Sequence, residues 1–119
     1  MKCISINPEY VMQILEGEKT KEYRSWSTQY RGDILIACTK TKNSNPFICA
    51  IVTIVDCVKE DGVYAFILKN VRGIKPLPVR GQQRIYNVDY NEEDIEVLDL
   101  NDLDYIDSVY DEANKWIVI

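Results

Sequence analysis

The stretch Lys19-Thr20-Lys21-Glu22-Tyr23-Arg24-Ser25-Trp26 places three cations, one carboxylate and two aromatic rings in a short span near the N-terminus. Lys19, Lys21 and Arg24 can neutralise phosphate oxygens, and the indole of Trp26 offers a flat surface for an unstacked base. Glu22 is the lone acid among them. A carboxylate between cations can accept hydrogen bonds from a base edge or serve as a general acid or base. It can equally form a salt bridge to Arg24 or Lys19 that holds a cleft open. On an extended strand Thr20, Glu22, Arg24 and Trp26 share one face, because side chains alternate. Arg31, Lys40, Lys42, Arg80 and Arg84 stand where loops or strand ends are expected, and a small barrel would bring them to one rim. Tyr23, Tyr30 and Tyr86 add further rings; the plainer reading makes the rings partly buried barrel residues and the cations solvated.

Much catalytic chemistry is excluded by composition. The chain has no histidine, so it can form no Ser-His or Cys-His nucleophile pair and no Cys/His zinc site. Any catalysis must use Lys, Arg, a carboxylate, Tyr, Ser, Thr or Cys, and no metal or cofactor is called for. Cys3, Cys38, Cys49 and Cys57 form no CxxC pair and each lies in or beside an apolar run, which reads as reduced, buried thiols in an intracellular compartment.

With 119 residues, 46% of them hydrophobic and 28% charged, the chain fits one folded domain and is too apolar for a disordered one. Its longest apolar runs, such as Ile34 to Cys38 and Phe47 to Ile54, fall short of the roughly 18–20 residues a membrane helix needs. The opening Met1 to Ile6 turns polar at once, unlike a secretory signal, so cytoplasmic residence is the expectation.

A formal charge of −5 conceals two unlike regions. Residues 1–88 hold 13 basic against 8 acidic residues, formally +5, while residues 89–119 hold one base, Lys115, against 11 acids, formally −10. A basic body with an acidic extension points to an anionic partner for the body, and two ordinarily solvated surfaces are the bland alternative.

The positioning elements can be read in order. Lys2 to Ile6 alternates as a strand; Asn7-Pro8 caps and opens a helix over roughly Pro8 to Glu16, with Tyr10, Val11, Ile14 and Leu15 on its apolar face and Gly17 as its stop. Arg31-Gly32-Asp33 is a turn before the interior strand Ile34 to Cys38, and Thr39 to Pro46 is a loop. Phe47 to Val58 and Val63 to Leu68 read as strands about a turn at Glu60-Asp61-Gly62. Pro76-Leu77-Pro78 is expected to break any regular element, followed by a basic loop, Val79 to Arg84, and a closing strand, Ile85 to Val88. These pieces imply an α+β, mainly β chain: a small, partly closed mixed β-barrel with a flanking helix. Within residues 89–119, Ile95 to Leu98 has strand composition. Leu103, Ile106, Tyr110 and Ala113 make one helical stripe from roughly Asp102 to Lys115, an acidic amphipathic helix expected to pack on the 1–88 core. That helix could instead screen the basic rim or dock a protein partner.

The run Gly17-Glu18-Lys19-Thr20-Lys21-Glu22-Tyr23-Arg24 resembles the G-x-K-x-x-E-x-R signature of the ASCH domain, the activating-signal-cointegrator homology family, whose fold is PUA-like. Its surroundings are similar too, from Ile4 to Tyr10, through Tyr30 to Ile36, Ala50 to Cys57 and Tyr64 to Arg72, to Val79 to Val88. The resemblance spans residues 1–88 and implies a PUA-like β-barrel with a helix-flanked cleft that binds RNA or a modified nucleoside. On that basis Lys19, Lys21, Glu22, Arg24, Trp26, Tyr30, Arg31, Lys40, Arg80 and Arg84 are the candidate RNA- or nucleotide-binding residues. Some small bacterial ASCH proteins are acetylcytidine amidohydrolases in which a Lys activates a Thr three residues on. The Lys matches Lys19, but the Thr position holds Glu22, so that hydroxyl is missing here. A weak ribonuclease, the other activity the resemblance implies, would need only Lys, Glu and Tyr around a phosphate, with Lys19 or Arg24 stabilising the charge. Binding and hydrolysis both stay open, and for hydrolysis the resemblance implies Lys19 and Glu22 as the catalytic candidates.

Overall fold

A computed structural model of the chain describes residues 1–42 and 44–99. Seven strands and one α-helix follow in the order β1 (Lys2–Ile6), α1 (Pro8–Leu15), β2 (Lys21–Arg24), β3 (Gly32–Cys38), β4 (Phe47–Glu60), β5 (Val63–Pro78), β6 (Ile85–Asn87) and β7 (Val97–Leu98). The anticipated acidic helix from Asp102 to Lys115 lies outside the described residues.

The helix begins where its cap and proline put it. The Asn7 side chain accepts from the Glu9 N–H at 3.1 Å, Pro8 takes the first turn, and Gly17, at φ 82°, turns the chain out after Glu16. Val11, Ile14 and Leu15 are buried against the sheet, each worth about 1.5–3 kcal/mol of apolar burial. Tyr10, expected on that face, stays half exposed.

All strands join one sheet in the order β2-β5-β4-β3-β1-β6, with β7 added to the edge of β5. The β1/β3 pair is parallel and the others are antiparallel, so the sheet is mixed. Its frame is the long β4/β5 hairpin, closed by Asp61 and Gly62, both at positive φ as a two-residue primed turn requires. Three register shifts along that hairpin curl the sheet into a half-barrel. The terminal strands β2 and β6 do not pair with each other.

Both faces of the sheet are covered, which accounts for the unbroken apolar runs of β3 and β4. Ile4, Ile34, Ile36, Val52, Ile54 and Phe66 pack with the helix residues on one face. Cys3, Leu35, Ala37, Ile48, Ile51 and Ile74 pack on the other, beneath Val88, Tyr90 and Ile95. Residues 90–98 are thus joined to the body: β7 pairs with Gly73 and Ile74, and Tyr90 donates its hydroxyl to the Pro78 carbonyl at 2.6 Å.

One reading of the sequence needs correction. Pro76-Leu77-Pro78 does not end the strand; β5 runs through it to Pro78, with Leu77 and Pro78 opposite Ile48 and Phe47. Pro76 falls in the irregular stretch between the Leu77 and Gly73 pairs, where β5 carries extra residues and the ladder asks for no donor.

Candidate functional site

The curl of the sheet brings its two unpaired ends together, and the candidate site lies between them. On β2 the side chains alternate: Glu22 and Arg24 turn inward, while Lys21 is half-buried and Tyr23 exposed on the opposite face. Glu22 pairs in register with Phe66, and Arg24 with Tyr64. Just past the strand, the Trp26 ring stands edge-on to Phe66, with centroids 5.2 Å apart and planes at 70°. Arg24 reaches across the gap and donates through Nη2 to the Ser5 carbonyl at 2.8 Å, where β1 extends beyond its last pair with β6. Arg84, just ahead of β6, closes the gap from the far side with its guanidinium 5.0 Å from the Trp26 centroid; Arg24 lies at 6.0 Å. Arg84 is at φ 59°, a left-handed conformation that costs a non-glycine residue roughly 1–2 kcal/mol and is sustained only by its surroundings.

Around these groups opens a cleft of about 410 Å³, between Arg24 and Trp26, the strand ends Ser5 and Thr39, and residues 82–84. A wider cleft of about 890 Å³ adjoins it, with Ser5, Thr39, Gln82 and Gln83 lining both. The wider part adds Lys40 and Arg80 and an apolar side made by Pro46, Pro78 and Val79. Among the described residues no carboxylate lines either part. Among the described residues Lys40, Arg80 and Arg84 have no acidic partner.

Glu22 lies behind this wall. At 7% exposure it is the one buried charged residue among those described. Its Oε1 is 3.7 Å from Arg24 Nε, attraction without a hydrogen bond, and its buried Oε2 has no hydrogen-bond partner. Burial raises its pKa above the ordinary 4.5, and the charges of Arg24 and Lys19 offset that only in part.

The remaining candidates are dispersed. Lys19 sits between the Tyr10 and Tyr23 rings, 5.2 and 5.3 Å from their centroids, and lines a separate groove with Lys21. Lys21 is bound to Glu60 at 2.7 Å. Arg31 donates to the Thr28 and Tyr30 carbonyls and faces Asp56 at 3.7 Å, while the Tyr30 hydroxyl donates to the Asp33 carbonyl. Tyr86 is buried, its hydroxyl 2.7 Å from Ser5 Oγ and 3.5 Å from Cys3 Sγ, and so offers no open ring face. Burial pushes the Cys3 thiol up to about 11, which suits a packed thiol better than a nucleophile. Among the described residues no group of three or more acids or cysteines could hold a metal. Sequence reasoning missed Ser5, Thr39, Gln82 and Gln83; the only available signal was polar residues at a strand end and between two arginines.

The family model described as the ASCH domain matches residues 4–101. The chain belongs to the ASCH domain family. No curated protein matches it. Among solved structures, this ASCH domain is similar to a mutant of the ZmASCH protein from Zymomonas mobilis, with a TM-score of 0.60 at 17% sequence identity over 78% of this chain and 91% of that one. At that identity the likeness concerns the fold, which is mainly β with a curled half-barrel sheet and one helix, as in PUA-like ASCH domains. No helix among the described residues is long and apolar enough to cross a membrane.

Proposed function

We propose that this ASCH domain binds single-stranded RNA or a nucleotide in the cleft between the ends of its half-barrel, stacking a base at Trp26 and holding phosphate with Arg24 and Arg84. The observation that carries the reading is an indole flanked by two guanidinium groups in a cleft lined by no acid among the described residues. A cationic, aromatic cleft without carboxylates attracts polyanions and accepts a flat ring, the two requirements of an unstacked nucleotide. Arg84 has no ion-pair partner among the described residues, so it can move from the ring face to admit a base.

Fluorescence anisotropy with a labelled single-stranded RNA tests this. Binding should weaken with salt at a log–log slope of about −0.7 per phosphate contacted, and Arg24→Ala with Arg84→Ala should lower affinity at least about tenfold. Absence of binding, or indifference to both changes in a variant that remains folded by circular dichroism, refutes it.

Buried Glu22 favours a second reading, a small hydrolase acting on a modified nucleoside or on RNA. A carboxyl that keeps its proton to higher pH, with one oxygen unsatisfied, is poised to give or take a proton beside Arg24. Product formation from a panel of acylated nucleosides and RNA oligomers, abolished by Glu22→Gln with the fold intact, would establish it. An inactive wild type across that panel leaves binding as the function.

A further inference from the structure

The adjacency of the two clefts, which share four lining residues, says more about the ligand than the Trp26 end does alone. Each part carries its own cation pair, Arg24 with Arg84 in the smaller and Lys40 with Arg80 in the wider. A single nucleotide has one base and one phosphate-bearing end, which the smaller part can satisfy by itself. The wider part supplies a second set of the same chemistry: two further cations, the amide groups of Gln82 and Gln83, and the rings of Pro46 and Pro78 as an apolar surface. Those walls are tied together, because the Val79 N–H donates to the Pro46 carbonyl at 3.4 Å. Gly81 lies where they meet Ser5, and a Cβ there would come 3.7 Å from Ser5 Oγ and 3.8 Å from Pro46 Cγ. Its bare backbone keeps that wall of the wider cleft free of a side chain. Among the described residues neither Lys40 nor Arg80 has an ion-pair partner, so a salt bridge within this part of the molecule does not explain them.

We infer that the wider part is a second nucleotide subsite, so that the ligand is a single-stranded oligonucleotide of at least two linked nucleotides and not a free nucleoside or mononucleotide. The inference rests on the RNA reading above and adds a direction to it: the strand runs from Trp26, past Gln82 and Gln83, to Lys40 and Arg80.

The test compares, on the full chain, a 5′-phosphorylated uridine mononucleotide with a tetrauridylate by competition against the labelled RNA. The wild type should bind the tetranucleotide at least about tenfold more tightly, since its added phosphates meet added cations. Lys40→Ala with Arg80→Ala should bring the ratio of the two affinities close to one and reduce the salt slope for the tetranucleotide by about 1.4, two contacts at about 0.7 each. Equal affinities in the wild type, or a ratio still above tenfold in the double variant, overturns the second subsite while leaving the Trp26 site standing. If the wild type binds neither ligand nor the labelled RNA, the RNA reading falls and the subsite with it.

Discussion

The arginines on the two sides of the half-barrel are used in opposite ways. Away from the cleft each ion pair joins partners far apart in sequence: Lys21 with Glu60, Arg31 with Asp56, and Arg72 with Asp33, where both Nη atoms and Thr53 converge on one carboxylate. Around Trp26 no such match is made. Arg24 has only an oblique approach to Glu22, Arg84 lies on the indole, and Lys40 and Arg80 stand alone among the described residues. Arg72–Asp33 links β5 to β3 across β4, whereas Arg80 and Arg84 keep their charge without an acidic partner among the described residues.

Binding measurements test this contrast most strongly at Trp26. Trp26→Ala is expected to cost about 1–3 kcal/mol of RNA affinity, roughly 5- to 150-fold, the range for losing one base–aromatic stack. Arg31→Ala and Arg72→Ala, on the paired side, should leave affinity and salt slope unchanged. Equal losses on both sides would mean that charge alone, without a located site, governs binding.

Stability should follow pH in opposite directions at the two acids that represent the two sides. Burial raises the Glu22 pKa, so the unfolded chain gives up this proton first as pH rises. The contribution of Glu22 to stability therefore falls as pH climbs from about the ordinary 4.5 through its raised folded value, and is level beyond. Hydrogen bonds from Arg72 and Thr53 lower the Asp33 pKa, so its contribution is present above the ordinary 3.8 and is lost as pH falls through the lowered value. Denaturant titrations across pH 3–8 should show Glu22→Gln gaining on the wild type as pH rises and Asp33→Asn gaining as pH falls. A Glu22→Gln difference that does not vary with pH would mean that the carboxylate is solvated. At neutral pH the Asp33–Arg72 pair itself is worth at most about 1 kcal/mol, because the Asp33 side chain is half exposed.

How far this contrast could be read beforehand depends on whether it arises locally. Asn7-Pro8 and Gly17 delimit the helix through their own backbone preferences, and period-two alternation alone puts Glu22 and Arg24 on one face. The apolar runs of β3 and β4 announce a sheet buried on both sides for equally local reasons. Lys21 and Lys19 look like members of the same cationic cluster as Arg24 until the fold is known. Register with β5 turns Lys21 outward to Glu60, 39 residues away, and the chain leaving Gly17 enters β2 only after Lys19 has settled between Tyr10 and Tyr23. Ser5 and Thr39 acquire meaning only because three register shifts curl the hairpin until the sheet's ends meet. Pro76 misleads for the same reason, since its cost is set by a bulge that sequence periodicity does not encode.

Glycine offers the finest version of the same contrast. Gly62 sits at φ +84° in the β4/β5 turn, with open space where a Cβ would go, so Gly62→Ala should destabilise through backbone strain alone, by about 1 kcal/mol. Gly81 has no such φ, and a Cβ there meets Ser5 and Pro46 only at ordinary contact distance. Gly81→Ala should thus leave the fold intact or stabilise it by about 0.4–1 kcal/mol, through the reduced freedom of the unfolded chain. Its methyl group nevertheless stands in the wall of the wider cleft, beside Ser5 and Pro46. The expected result is a variant that melts no lower than the wild type yet binds a tetranucleotide several-fold more weakly with an unchanged salt slope, because no charge has been removed. A fall in melting temperature matching that of Gly62→Ala would show that Gly81 serves the backbone and not the cleft.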